Sequence, residues 1–148
     1  MPHSRATRVA FAFWLLSVGA CAQQSEVSDS IARNFKATEG KTVNLAAAVP
    51  GNWERVCILG PYSDNTAAKR ALGFDWNVER KTTIQNNEGI SLLLFAQGQS
   101  VVQYAEHPRS AGDFTNLSGR CFGRDAAVFS SVPFPKKGWH GLFPKNEA

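Results

Sequence analysis

The segment Ile90–Ala96 reads ISLLLFA, a strand-length run that is apolar on both of its faces. Side chains alternate along a strand, so Leu93 and Phe95 point one way and Leu92 and Leu94 the other. Such a strand is stable only inside a layered fold that covers both faces. Three residues, Gln97-Gly98-Gln99, separate it from Ser100–Ala105 (SVVQYA). So short a link excludes a parallel crossover and predicts an antiparallel hairpin.

The rest of the chain supplies candidates for the cover. Trp53–Leu59 lacks strict alternation after Arg55 and ends at Gly60-Pro61, which predicts a second central strand buried on both faces. Asn65–Leu72 carries Ala67, Ala68, Ala71 and Leu72 as an apolar stripe. Ser63 or Asp64 stands where an N-cap belongs and Gly73 where a C-terminal cap belongs, so a short helix is expected here. Thr42–Val49 places Val43, Leu45 and Ala47 on one face of a strand. Asn77–Gln85 reads as a charged edge strand with Val78 and Ile84 as its apolar points, His107–Gly112 as a loop, and Asp125–Val132 as the last strand. Strand, short helix and then a run of strands predict an α+β fold: an antiparallel sheet with one short helix on one face. The second face is left to Thr42–Val49 or to the tail around Trp139 and Phe143.

The N-terminus has a different character. Residues 1–8 hold His3, Arg5 and Arg8 with no acid, and the following twelve, VAFAFWLLSVGA, are mostly apolar. This is the basic, apolar, small-residue order of an export signal over residues 1–20. The apolar run falls short of the roughly 20 residues a bilayer needs. Two of the sixteen basic residues lie in this segment and none of the twelve acids does, so fourteen basic residues remain beside twelve acidic ones. That balance is too even for nucleic-acid binding. Residues 21–41 are polar, with Val27, Ile31 and Phe35 on one helical face. They are read as an N-terminal helix or a tether, poorly anchored in the fold. A domain over residues 42–135 and a tail over 136–148 complete the organisation.

Val18-Gly19-Ala20-Cys21 resembles the lipobox of bacterial exported lipoproteins. The resemblance implies a lipid on the Cys21 thiol and cleavage just before it. Ordinary signal cleavage near Ala20 or Ala22 is the alternative. Cysteine arithmetic favours lipidation: three cysteines in an oxidising compartment leave one odd, and lipid on Cys21 leaves Cys57 and Cys121 to pair. A Cys57–Cys121 disulfide is therefore expected, the alternative being two buried thiols.

Motifs for chemistry are sparse. His107, His140, Cys57 and Cys121 are far apart in sequence, and both histidines sit in loop-like surroundings, so no metal site and no cofactor are expected. No G-x-S-x-G elbow is present. Gly60-Pro61-Tyr62-Ser63-Asp64 precedes a helix, but an acid at its start opposes phosphate. Glu54, Asp64, Asp75 and Glu88 have no spacing that demands convergence.

Two features point to binding. Trp53, Tyr62, Phe74 and Trp76 cluster around the strand–helix unit, and the tail KKGWHGLFPK presents Trp139 among lysines. The block Trp53-Glu54-Arg55-Val56-Cys57-Ile58-Leu59-Gly60-Pro61-Tyr62, with Leu72-Gly73-Phe74 after it, is similar to one in small uncharacterised bacterial exported proteins and lipoproteins. No activity is attached to that block. The expectation is a non-catalytic binding domain of the cell envelope, periplasmic or secreted if not lipid-anchored, with an envelope protein or a glycan as partner. A small envelope enzyme or an enzyme inhibitor is the alternative.

Overall fold

The computed structural model describes residues 19–148. All of the export segment but Gly19 and Ala20 lies outside them. The chain forms helix α1 (Gly19–Ala37), strand β1 (Thr42–Asn44), a single turn α2 (Leu45–Ala48), β2 (Arg55–Leu59), α3 (Asn65–Leu72) and a second single turn α4 (Val78–Lys81). The hairpin β3 (Ile90–Gln97) and β4 (Ser100–Pro108) follows, then β5 (Cys121–Gly123), β6 (Val128–Val132) and β7 (Gly141–Pro144). The fold is α+β with two antiparallel sheets: four strands in the order β4-β3-β2-β5, and three in the order β1-β6-β7.

The hairpin forms as its sequence requires, with Leu93 opposite Ala105 and Leu94 opposite Tyr104. Its two faces feed two cores. Leu92, Leu94 and Ala96 join Cys57 and Leu59 under α3, where Ala68 and Leu72 meet Val78 and Ile84. Leu93 and Phe95 join Val56 and Ile58 against Val27, Ile31, Val43, Leu45, Phe129 and Leu142. Helix α3 runs between the expected caps. The Asp64 carboxylate accepts from the Ala67 amide at 2.8 Å, and Gly73 takes the left-handed backbone (φ 83°) that a side chain would strain.

Several expectations are corrected. Residues 21–41 are no loose tether: Val27 and Ile31 are buried in the central core, and Phe35 packs against it. The tail over 136–148 is not separate, because β7 pairs with β6 and buries Leu142. Helix and tail thus share one core with residues 42–135: α1 and the second sheet, to which the tail adds β7, together cover the Leu93–Phe95 face. Asn77–Gln85 is not a strand. The Asn77 side chain accepts from the Arg80 amide at 3.0 Å and starts α4, and a 3-10 turn follows at Ile84–Asn86. Val78 and Ile84 are nonetheless buried, so their apolar character was read correctly and their period was not. Likewise Asn44 ends β1 by capping α2, with its side chain accepting from the Ala47 amide at 3.2 Å. The strand expected over Asp125–Val132 begins only at Val128, after a 3-10 turn at Arg124–Ala126, and it is not the last, because β7 follows it.

Candidate functional site

The strand register gives the molecule two ends. At one end β3 turns into β4, with Gln97 opposite Ser100; at the other Ile90 stands opposite Pro108. Helix α1 runs alongside β4 in the same direction, since Ser28 meets His107 and Gly112 lies against Phe35 further on. Cys21 therefore stands at the hairpin-turn end. Nineteen helical residues at 1.5 Å each separate the two ends of α1 by about 28 Å. Strand β1 starts just beyond the C-terminal end of α1 and β6 pairs with it there, the Ser131 amide donating to the Lys41 carbonyl at 2.8 Å. The 133–140 segment linking β6 to β7 is thus carried at the end remote from Cys21.

The aromatic residues expected to share one binding surface divide between these ends. Trp53 is no surface residue: it is 2% exposed, its indole donates to the Val49 carbonyl at 2.8 Å, and its ring packs edge-on against Phe95. Its amphipathic ring finds both its apolar contact and its acceptor inside the core. Phe74 is half-buried under the Arg55 guanidinium, and Trp76 is half-buried edge-on to Tyr104 near the Cys21 end. Tyr62 and Trp139 lie at the remote end and are 61% and 72% exposed.

The remote end is rigidly built. Tyr62 holds a left-handed backbone (φ 65°), unusual for a side chain of this size. Its amide donates to the Ile84 carbonyl at 2.8 Å, and its hydroxyl donates to Glu88 at 3.0 Å. That bond to the Glu88 carboxylate holds the phenol in its neutral form and raises its pKa. Arg109 donates to the Glu88 carbonyl and doubly to Asp113. Burial pushes the Asp113 carboxyl up, but the Arg109 and Thr115 hydrogen bonds outweigh it and leave it below the ordinary carboxylate range.

Asn116 grips the backbone of Trp139. Its amide nitrogen donates to the Trp139 carbonyl at 2.7 Å, and its oxygen accepts from the Trp139 amide at 3.0 Å. Nearby, Phe134 is 93% exposed between Pro133 and Pro135 and borders an open groove with Val132, Lys136, Lys137 and Phe143. Phe134 was not singled out from sequence. Its signal is the two flanking prolines, which keep that stretch out of a strand interior.

A serine–histidine contact does exist, but inside the protein. The Ser28 hydroxyl lies 2.9 Å from His107 Nδ1, and His107 Nε2 lies 3.2 Å from the Ala111 carbonyl. A carbonyl only accepts, so Nε2 carries the proton and Nδ1 accepts from Ser28. His107 was expected in a solvated loop; it is 0% exposed at the end of β4, edge-on to Phe114. Burial pushes its pKa down. With Ser28 only 7% exposed, the pair offers no face to a substrate.

Cys57 and Cys121 are joined, as direct partners across β2 and β5 with Cα atoms 4.0 Å apart. Cys21 is a free thiol and exposed. Among the described residues no group of histidines, cysteines and acids could hold a metal ion, and no helix is long and apolar enough to cross a membrane. No family model, curated protein or solved structure matches the chain.

Proposed function

We propose that this chain is a binding domain of the bacterial cell envelope, held at a membrane by lipid on Cys21, that engages an envelope protein or glycan through its remote end. The observation that carries this reading is Trp139: its backbone is fixed by both polar atoms of Asn116, yet its ring is 72% exposed. A large ring carried on a fixed backbone and left in water is partly pre-organised for a contact, because the backbone has little freedom left to lose on binding. Phe134 on the same 133–140 segment adds a second exposed apolar side chain, Lys136 and Lys137 add positive charge, and Tyr62 is exposed at the same end.

Anchoring rests on the lipobox-like residues through Cys21 and on the exposure of that thiol. In the modification, Cys21 Sγ displaces the phosphate headgroup of a phospholipid. A C–S bond replaces a C–O bond, and the thiol proton leaves with the headgroup. The Cys57–Cys121 disulfide suits an oxidising compartment outside the cytoplasm.

Site-specific photocrosslinkers at positions 134 and 139 in the living cell test the binding reading. They should trap one discrete envelope species, protein or glycan, that a crosslinker at Lys69 on the α3 surface does not. Equal capture from all three positions would contradict it.

A further inference from the structure

We propose that the Cys21 end of the domain is itself a membrane-contact face, on which the groove between α1, α4 and β4 seats against an anionic phospholipid surface. This rests on the lipid-anchor reading and adds the orientation in which the anchored domain is held.

The first observation is the lack of slack. Val27 is buried only six residues after Cys21, and Ser28 is bonded to His107. Six helical residues span about 9 Å. A lipid on Cys21 thus holds the folded domain within about one helix diameter of the bilayer, with no tether between them.

The second observation is what surrounds Cys21. The adjoining groove is lined by Gln23, Gln24, Trp76, Lys81, Val101, Val102 and Tyr104, residues that the disulfide and the remote end do not use. Trp76 packs edge-on against Tyr104 with ring centroids 5.0 Å apart, and the Lys81 ammonium lies 5.8 Å from the Trp76 ring. Tryptophan and tyrosine favour the bilayer interface, where one edge of the ring is apolar and the other wet, and lysine adds attraction to anionic headgroups. Arg80 stands beside Lys81 on α4. Glu79, on the same turn, is turned to another task and accepts from the Asn65 amide.

The third observation is Val102. The β3–β4 register slips between Phe95 and Ala96: Phe95 faces Gln103 and Ala96 faces Val101, so Val102 is the extra residue of a bulge. It is 42% exposed on an edge strand. A bulge redirects a side chain out of the alternation, and here it turns an apolar one outward beside the anchor.

The test is hydrogen–deuterium exchange on the full chain as the cell processes it, reconstituted in vesicles of phosphatidylglycerol and phosphatidylethanolamine at about one to three. The Cys21→Ser chain in solution is the reference. Amides of residues 76–82 and 100–104 should exchange at least about tenfold more slowly on the vesicles, while those of 133–140 should not change. The Lys81→Glu/Val102→Glu variant should keep its lipid and its unfolding midpoint and lose that protection. Unchanged exchange in a chain whose Cys21 is shown by mass to be lipidated would overturn the contact face and leave the anchor standing. A chain with an unmodified Cys21 would overturn both. Protection already present in the Cys21→Ser chain would mean that the chain's own residues fill the groove, and would also overturn the proposal.

Discussion

The Ser28 hydroxyl donates to Nδ1 of a fully buried His107 across 2.9 Å, tying α1 to β4 over a sequence separation of 79 residues. Helix α1 otherwise packs on the core through Val27, Ile31 and Phe35, and the buried Ser28–His107 bond adds a polar attachment to β4. Ser28→Ala leaves a buried ring nitrogen without its donor. It should cost about 1–3 kcal/mol in urea unfolding.

The same pair makes stability depend on pH. An unfolded histidine titrates near 6.5, and burial lowers the folded value of His107 below that. Between the two values the unfolded chain binds more protons. The contribution of His107 is therefore complete above about pH 6.5 and is lost as the pH falls toward the folded value. Urea midpoints should fall below pH 6.5 in the wild type. His107→Gln should show a flatter profile across that window.

The disulfide should matter about as much as a large buried core side chain. Cys57 and Cys121 are 64 residues apart in sequence, and closing so long a loop in the unfolded chain is worth roughly 4 kcal/mol in the chain-entropy model. The Cys57→Ala/Cys121→Ala variant should lose about that much in urea unfolding. Cys121 is exposed, so reductant should reach the native bond.

Leu92→Ala and Phe95→Ala probe the two faces of β3 separately. Both side chains are 0% exposed, one under α3 and the other toward α1 and the second sheet. Losses of about 2–5 and 3–5 kcal/mol are expected. A midpoint unchanged in either variant would show that its face lacks cover.

Asn116→Ala should free the Trp139 backbone without unfolding the domain. Loss of one net hydrogen bond predicts roughly threefold to tenfold faster exchange at the Trp139 amide, while β3 amides stay protected.

The hairpin, α3 with its Asp64 and Gly73 caps, and the two-faced core strand were legible because each is decided locally. Apolar run, cap and turn sit within a few residues of one another. The disulfide was legible for a different reason: its partners are 64 residues apart, but counting cysteines leaves only this pair once export and lipid on Cys21 are assumed. The anchoring of α1 was not legible. Val27, Ile31 and Phe35 give its apolar stripe, but the partner groups on β4 lie about 80 residues away, and nothing near Ser28 announces His107. The tail was misread for a similar reason. Gly141–Pro144 is too short and too close to proline to look like a strand, and it becomes one only because β6 is there to pair with it. At Gly141 an added Cβ would lie 2.9 Å from the Asp113 carbonyl, so that close approach needs glycine. Asn77–Gln85 failed on period: two buried aliphatics six residues apart suit alternation, but the Asn77 cap decided for a helical turn.

For the binding surface, composition named the aromatic residues but not their exposure. Trp53 has the same sequence signal as Trp139, a ring beside charged neighbours. What separates them is that the Trp53 indole finds an acceptor in the Val49 carbonyl, whereas Asn116 bonds only the backbone of Trp139. Neither partner is visible without the fold.

Lipid on Cys21 is proposed to hold this domain to a membrane. The most direct measurement is the mass of the chain purified from the membrane fraction of its host, with its N-terminal peptide sequenced by fragmentation. The mature N-terminus should be Cys21 carrying a diacylglyceryl thioether, and Cys21→Ser should be recovered in the soluble fraction. An unmodified cysteine at that position, or a mature N-terminus at Gln23, would contradict it.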